Sequence, residues 1–128
     1  MAETANPIAE DRPLTNQEES LLRWLLEHSD KDGCSYLPQV DDVRVVSRCA
    51  CGCASINFSV KGEMRSGQNM KVIADFAWNA DGHQFGIFVF EKGALLAGLE
   101  VWSIDGEATP SNLPRPEELR PLTFRNSA

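Results

Sequence analysis

The chain has 128 residues, 42% of them hydrophobic and 24% charged, with a formal net charge of −7. That length suits one domain with its own core, and the composition is that of a globular rather than a disordered or fibrous protein. No apolar run approaches the roughly 18 residues of a membrane-spanning helix, and there is no cluster of Lys and Arg to meet nucleic-acid phosphates, so neither membrane nor nucleic acid is an expected partner.

The acids are unevenly spread. Residues 1–40 hold eight acids against three bases, 41–92 six of each, and 93–128 five against three. The opening MAETANPIAEDRP has neither the basic start nor the apolar block of a secretory signal, which predicts a cytoplasmic location. Residues 1–13, broken by Pro7 and Pro13, read as a flexible arm.

A helix follows. Thr15 as N-cap with Glu18 three positions on is a capping box. Leu21, Leu22, Leu25 and Leu26, with Trp24 beside them, make an apolar stripe, while Glu19, Arg23 and Glu27 stay wet, so an amphipathic helix is predicted to about Ser29. In Ser29–Gly33, Asp30 and Asp32 alternate like the opening of a calcium loop. The glycine comes too early and no Glu closes a 12-residue frame, so the stretch is read as a turn. Tyr36–Val40 is predicted to be extended, with Pro38 keeping it out of the centre of a sheet.

Two hairpins are then expected. Asp42–Cys49 and Ala54–Lys61, joined through Ala50–Cys53, would pair Val43 with Val60, Val45 with Phe58, Ser47 with Ile56 and Cys49 with Ala54. Asp81-Gly82 is a strong two-residue turn signal; it would pair Trp78 with Phe85, Phe76 with Ile87 and Ala74 with Val89. After Lys92-Gly93 the chain turns into Ala94–Asp105, where Leu95, Ala97, Leu99 and Val101 alternate with Leu96, Trp102 and Ile104. Ile73, Phe88 and Phe90 fall on the face away from Trp78. One helix cannot cover both faces, so the second is predicted to meet the arm, the tail or another chain, either a homodimer partner or a different protein. From Gly106 onward, Pro110, Pro114, Pro116 and Pro121 predict an extended tail over 106–128. The expected fold is α+β, an N-terminal amphipathic helix packed on an antiparallel β-meander of about five strands, within one domain spanning 14–105.

For chemistry, the most unusual feature is Cys49-Ala50-Cys51-Gly52-Cys53 at a hairpin tip, with fourteen residues separating Cys34 from Cys49. Four converging thiolates suit tetrahedral zinc at a Zn–S distance of about 2.3 Å, although zinc knuckles place two residues between ligands. Three reduced cysteines serving as small turn residues are the alternative. Neither His28 nor His83 has a spacing that pairs it with a cysteine as a nucleophile, and His28 suits a helix C-terminus. Asp75, Glu100 and His83 are candidate ligand-binding residues for a pocket between helix and sheet, because an acid on an apolar face has a raised pKa. Arg44, Arg48, Lys61 and Arg65 form a small basic face. Asp41-Asp42 and Glu117-Glu118 read as solvated or capping. No phosphate-binding glycine loop or nucleophile elbow occurs, so no catalytic residue and no cofactor is assigned, zinc being the one alternative.

Leu14-Thr15-Asn16-Gln17-Glu18-Glu19-Ser20-Leu21-Leu22-Arg23-Trp24-Leu25-Leu26 and Gly93-Ala94-Leu95-Leu96-Ala97-Gly98-Leu99-Glu100-Val101-Trp102-Ser103-Ile104-Asp105 resemble the two ends of small uncharacterised bacterial α+β families. These open on an LT-x-x-E helix and close on a strand of the form G-x-L-x-x-L-E-x-W. Some relatives of that kind are immunity proteins beside toxins, so the resemblance implies a protein partner and carries no catalytic residues. The expected function is a non-enzymatic binding domain that associates with itself or with another protein. A structural zinc or thiol site, and a small enzyme or ligand-binding protein, are the alternatives.

Overall fold

The computed structural model describes residues 7–65 and 69–122 of the chain. In order it runs through strand β1 (Ile8–Pro13), helix α1 (Asn16–Glu27), a 3-10 helix (Gly33–Asp42), then strands β2 (Val43–Arg48), β3 (Ile56–Val60), β4 (Met70–Ala80), β5 (His83–Lys92) and β6 (Leu95–Ser103). A short 3-10 turn (Pro116–Glu118) and β7 (Arg120–Pro121) close it. The seven strands form one antiparallel sheet in the order β1-β2-β3-β6-β5-β4-β7. The fold is α+β and dominated by its sheet. The two strands beyond the expected five are the edges: part of the arm pairs with β2, and part of the tail with β4.

Helix α1 begins as its sequence dictates. Thr15 Oγ1 accepts from Glu18 N at 3.1 Å and Thr15 N donates to Glu18 Oε1 at 2.9 Å, the reciprocal capping box. Arg12 also holds Glu18 from β1, at 2.8 Å and 3.0 Å. Leu21, Leu22, Leu25 and Leu26 are fully buried on the sheet, and His28 caps the C-terminus with its ring stacked on Trp24. Tyr36–Val40 is not extended but lies in the 3-10 helix. Asp32 reverses the chain at φ 71, and Gly33 sits so close to α1 and β4 that a Cβ would lie 2.8 Å from the Ile73 carbonyl oxygen. The Gln39 side-chain amide then clips the β5–β6 turn, donating to Ala94 O and accepting from Leu96 N, both at 2.8 Å.

The central hairpin has the expected register. Asp81 and Gly82 both adopt positive φ, 54 and 80, and Trp78 faces Phe85, Phe76 faces Ile87 and Ala74 faces Val89. Elsewhere the pairing slips at bulges, where one extra residue changes which side chains face the core. A bulge between Val72 and Ala74 turns Ile73 into the helix-side core, and one between Phe90 and Glu91 sends Leu96 to the same core. The alternation predicts Ile73 on the face away from Trp78 and Leu96 on the side opposite Leu99 and Val101. A third bulge, between Val45 and Ser47, moves Ser47 opposite Asn57 and Arg48 opposite Ile56, one residue away from the expected pairing.

Helix α1, the long 3-10 helix and tail residues Ala108, Leu113 and Leu119 all pack on the face that carries Trp78, Phe85 and Phe58. On the other face the aromatic rings cover glycines across the strand. A Cβ on Gly86 would sit 2.4 Å from Trp102 Nε1, and one on Gly98 2.5 Å from the Phe90 ring. Phe90 is 5% exposed, packed beside Phe88 and sharing a hollow with Pro7, Met64 and Arg65.

Candidate metal centre

The slip after Val45 reshapes the thiol tip. Cys49 N donates to Ser55 O at 3.2 Å, so Cys49 stands opposite Ser55 rather than Ala54, and the turn holds five residues instead of four. Gly52 takes φ 94, a conformation that suits glycine, and this lets the turn fold back on itself. The amide of Cys51 donates to Cys49 Sγ and that of Cys53 to Cys51 Sγ, each at 3.4 Å. Together these place the three Sγ atoms within 4.8 Å of one another. A Zn–S distance of about 2.3 Å at a tetrahedral angle sets sulfurs about 3.8 Å apart, so closing the cluster on an ion needs shifts of about 1 Å or less.

The turn is held at both ends. Ala54 N donates to Pro110 O at 3.0 Å, which docks the tail on the tip. The Cys53 thiol donates to Ser55 Oγ at 3.4 Å, and that hydroxyl accepts from Val101 N at 2.9 Å while donating to Val101 O at 3.3 Å. Ser55 is buried, and it extends the β3–β6 seam, whose backbone pairing covers only Ile56 with Leu99 and Asn57 with Gly98. Within the cluster, the hydrogen bond to Cys51 together with burial pushes the Cys49 thiol up to about 12. The same bond, with the amide of Cys53, brings Cys51 below the ordinary thiol value. Between these two, Cys51 is the sulfur better placed to hold negative charge.

Cys34 does not join the other three. It lies exposed in the 3-10 helix, its thiol directed to Glu27 O at 3.6 Å at the end of α1. The expected set of four converging thiols is thus reduced to three, because fourteen intervening residues of helix and strand carry Cys34 to the other end of α1.

The predicted ligand-binding residues are also dispersed. Asp75 lines a hollow of about 190 Å³ with His28, Asp30 and Lys31; burial raises its carboxyl, and the Lys31 ammonium at 3.7 Å opposes that. The His83 Nδ1 atom is buried without a hydrogen-bond partner, with Asp105 Oδ2 at 3.4 Å. Asp105 itself organises the loop: it accepts from Glu107 N and Gln84 N, which hold its carboxyl below the usual range. Glu100 lies on the second face, its carboxyl raised by partial desolvation alone. Among the described residues these groups do not meet in one hollow, and the space between helix and sheet holds Leu21, Leu22, Leu25 and Leu26. Glu10 and Asp11 of β1 answer half of the basic face, Glu10 at 2.8 Å from Arg48 and Asp11 at 3.0 Å from Arg44. Arg65 is 2.8 Å from Glu63 and Lys61 is 4.0 Å from Asp42.

Comparison of the chain with protein-family models, characterised proteins and solved structures finds no match. The likeness drawn from residues 14–26 and 93–105 rests on those two stretches alone. Among the described residues, no helix is long and apolar enough to cross a membrane.

Proposed function

We propose that the protein is a non-enzymatic binding domain whose working element is the Cys49–Cys53 turn, which takes up a thiophilic metal ion of the zinc class. The observation that carries this reading is the convergence of three sulfurs within 4.8 Å on one short turn. Thiolate ligands favour Zn(II) and Cu(I) over hard cations. The turn stands on a core of its own, so the ion would be held by the domain rather than fold it, in contrast to small zinc modules that are unfolded without metal.

Self-association or a protein partner, expected from surplus apolar surface, has a narrower basis. Ile73 and Leu96 belong to the helix-side core, and Phe90 and Trp102 lie over Gly98 and Gly86.

Native mass spectrometry under reducing conditions tests the metal reading. One zinc per chain is expected for the unaltered protein and for Cys34→Ser, and none for Cys51→Ser. A metal-free chain after incubation with excess zinc would overturn it.

A further inference from the structure

A site of three thiolates leaves one tetrahedral position unfilled. Among the described residues, Glu100 offers a carboxylate that lies outside the sulfur cluster itself but shares a hollow with one of its members, Cys49. Ser55 links the two: Cys49 faces it across the β2–β3 pair, and its hydroxyl binds the backbone of Val101, next to Glu100. Cys49, Ser55, Asn57 and Glu100 line one hollow of about 170 Å³. Strands lie about 4.8 Å apart, so Glu100 is roughly 10 Å from Cys49 between Cα atoms. Extended Glu and Cys side chains joined by metal bonds of roughly 2.1 and 2.3 Å span that distance.

Among the described residues, the Glu10 carboxylate on the neighbouring strand is already engaged, holding Arg12 at 2.7 Å and Arg48 at 2.8 Å. Among the described residues, the Glu100 carboxylate has no hydrogen bond or ion pair. It is exposed at the mouth of the hollow, and turning it toward the sulfurs breaks no existing interaction. Its neighbours across the strands, Phe88 and the Phe90 ring above Gly98, offer no cation to hold it elsewhere.

We propose that Glu100 supplies the fourth ligand, an oxygen, to a metal bound by Cys49, Cys51 and Cys53, making a site of three sulfurs and one oxygen. This rests on the metal reading above. Three thiolates alone suit Cu(I) as well as Zn(II), whereas a carboxylate oxygen is a ligand of Zn(II) and not of Cu(I). Glu100 is thus the residue that sets the choice of ion.

The test is anaerobic titration of the full chain with Co(II) as a spectroscopic stand-in for zinc, followed by competition with Zn(II) and with Cu(I). The unaltered protein should show thiolate-to-cobalt charge transfer together with the intense ligand-field bands of four-coordinate cobalt. Glu100→Gln should keep the charge transfer, shift the ligand-field bands, and weaken Co(II) and Zn(II) binding by at least about tenfold. It should leave Cu(I) binding unchanged. Glu100→Asp, with its shorter reach, should fall between the two. Identical spectra and affinities in the unaltered protein and Glu100→Gln would overturn the role of Glu100 while leaving the thiol site standing. No charge transfer in the unaltered protein would overturn both. Far-ultraviolet circular dichroism confirms that each variant is folded, as expected for substitutions at an exposed position.

Discussion

The two faces of the sheet exclude water by different means. On the helix side a second layer does it: α1, the long 3-10 helix and the tail bury Leu22, Leu25, Phe58 and Ile87 to between 0% and 2% exposure. On the other side, among the described residues, Trp102 is laid over Gly86 and Phe90 over Gly98, with Pro7, Met64 and Arg65 beside Phe90. The first arrangement uses large side chains pointing away from the strands. The second needs an absent side chain under each ring, so its specificity lies in two glycines.

Three measurements would break or sharpen that contrast. The largest effect belongs to the layered face: Leu22→Ala is expected to cost about 2 to 5 kcal/mol in urea unfolding, since α1 cannot collapse into the gap. A cost below about 1 kcal/mol would mean that the helix is only loosely docked. On the other face, Gly98→Ala is expected to cost about 1 to 3 kcal/mol by overpacking, because the new methyl meets both the Phe90 ring and the Ile56 carbonyl. Part of that loss should return in a Phe90→Leu background, and strict additivity of the two changes would show that ring and glycine do not interact.

The smallest effect concerns the strap that joins β1 to the helix, Arg12→Ala, at about 1 to 2 kcal/mol near neutral pH. Burial by itself would raise the Glu18 carboxyl, but Arg12 and the Thr15 amide outweigh it and hold it below the usual range. A depressed carboxylate stabilises the fold above its unfolded pKa, and that contribution is lost as the pH falls through the folded value. The gap between Arg12→Ala and the unaltered protein should thus close in acid, below about pH 4. A gap independent of pH would assign the effect to packing of the Arg12 stem.

The helix and central hairpin were legible because their signals are local: Thr15 and Glu18 are three residues apart, and Asp81-Gly82 selects one turn type. The bulges at Val46, Ile73 and Ala97 were not, because strict alternation carries no mark of an inserted residue when apolar side chains lie on both sides of it. Nor were the edge strands: Ile8–Pro13 and Arg120–Pro121 are short, polar or proline-bearing, and pair only because the sheet offers them an edge. At the thiol turn, Cys49, Cys51 and Cys53 announced themselves by spacing, and the exclusion of Cys34 required the path of the intervening chain. Glu100 was singled out for its apolar strand, while its neighbour Cys49 became visible only with the corrected register.

The narrow β3–β6 seam has a consequence for how the chain folds. It joins two locally closed units, the β2–β3 hairpin and the β4–β5–β6 meander, through two paired positions and one hydroxyl. Each unit is made of contacts close in sequence and should form early, while the seam links residues more than forty positions apart and should close late. In native-state hydrogen exchange the amides of Ile56, Asn57 and Val101 are expected to open at lower free energy than those of Ile87 and Val89. The thiol turn thus sits where the two halves of the sheet part first, and a bound ion would act there as a latch.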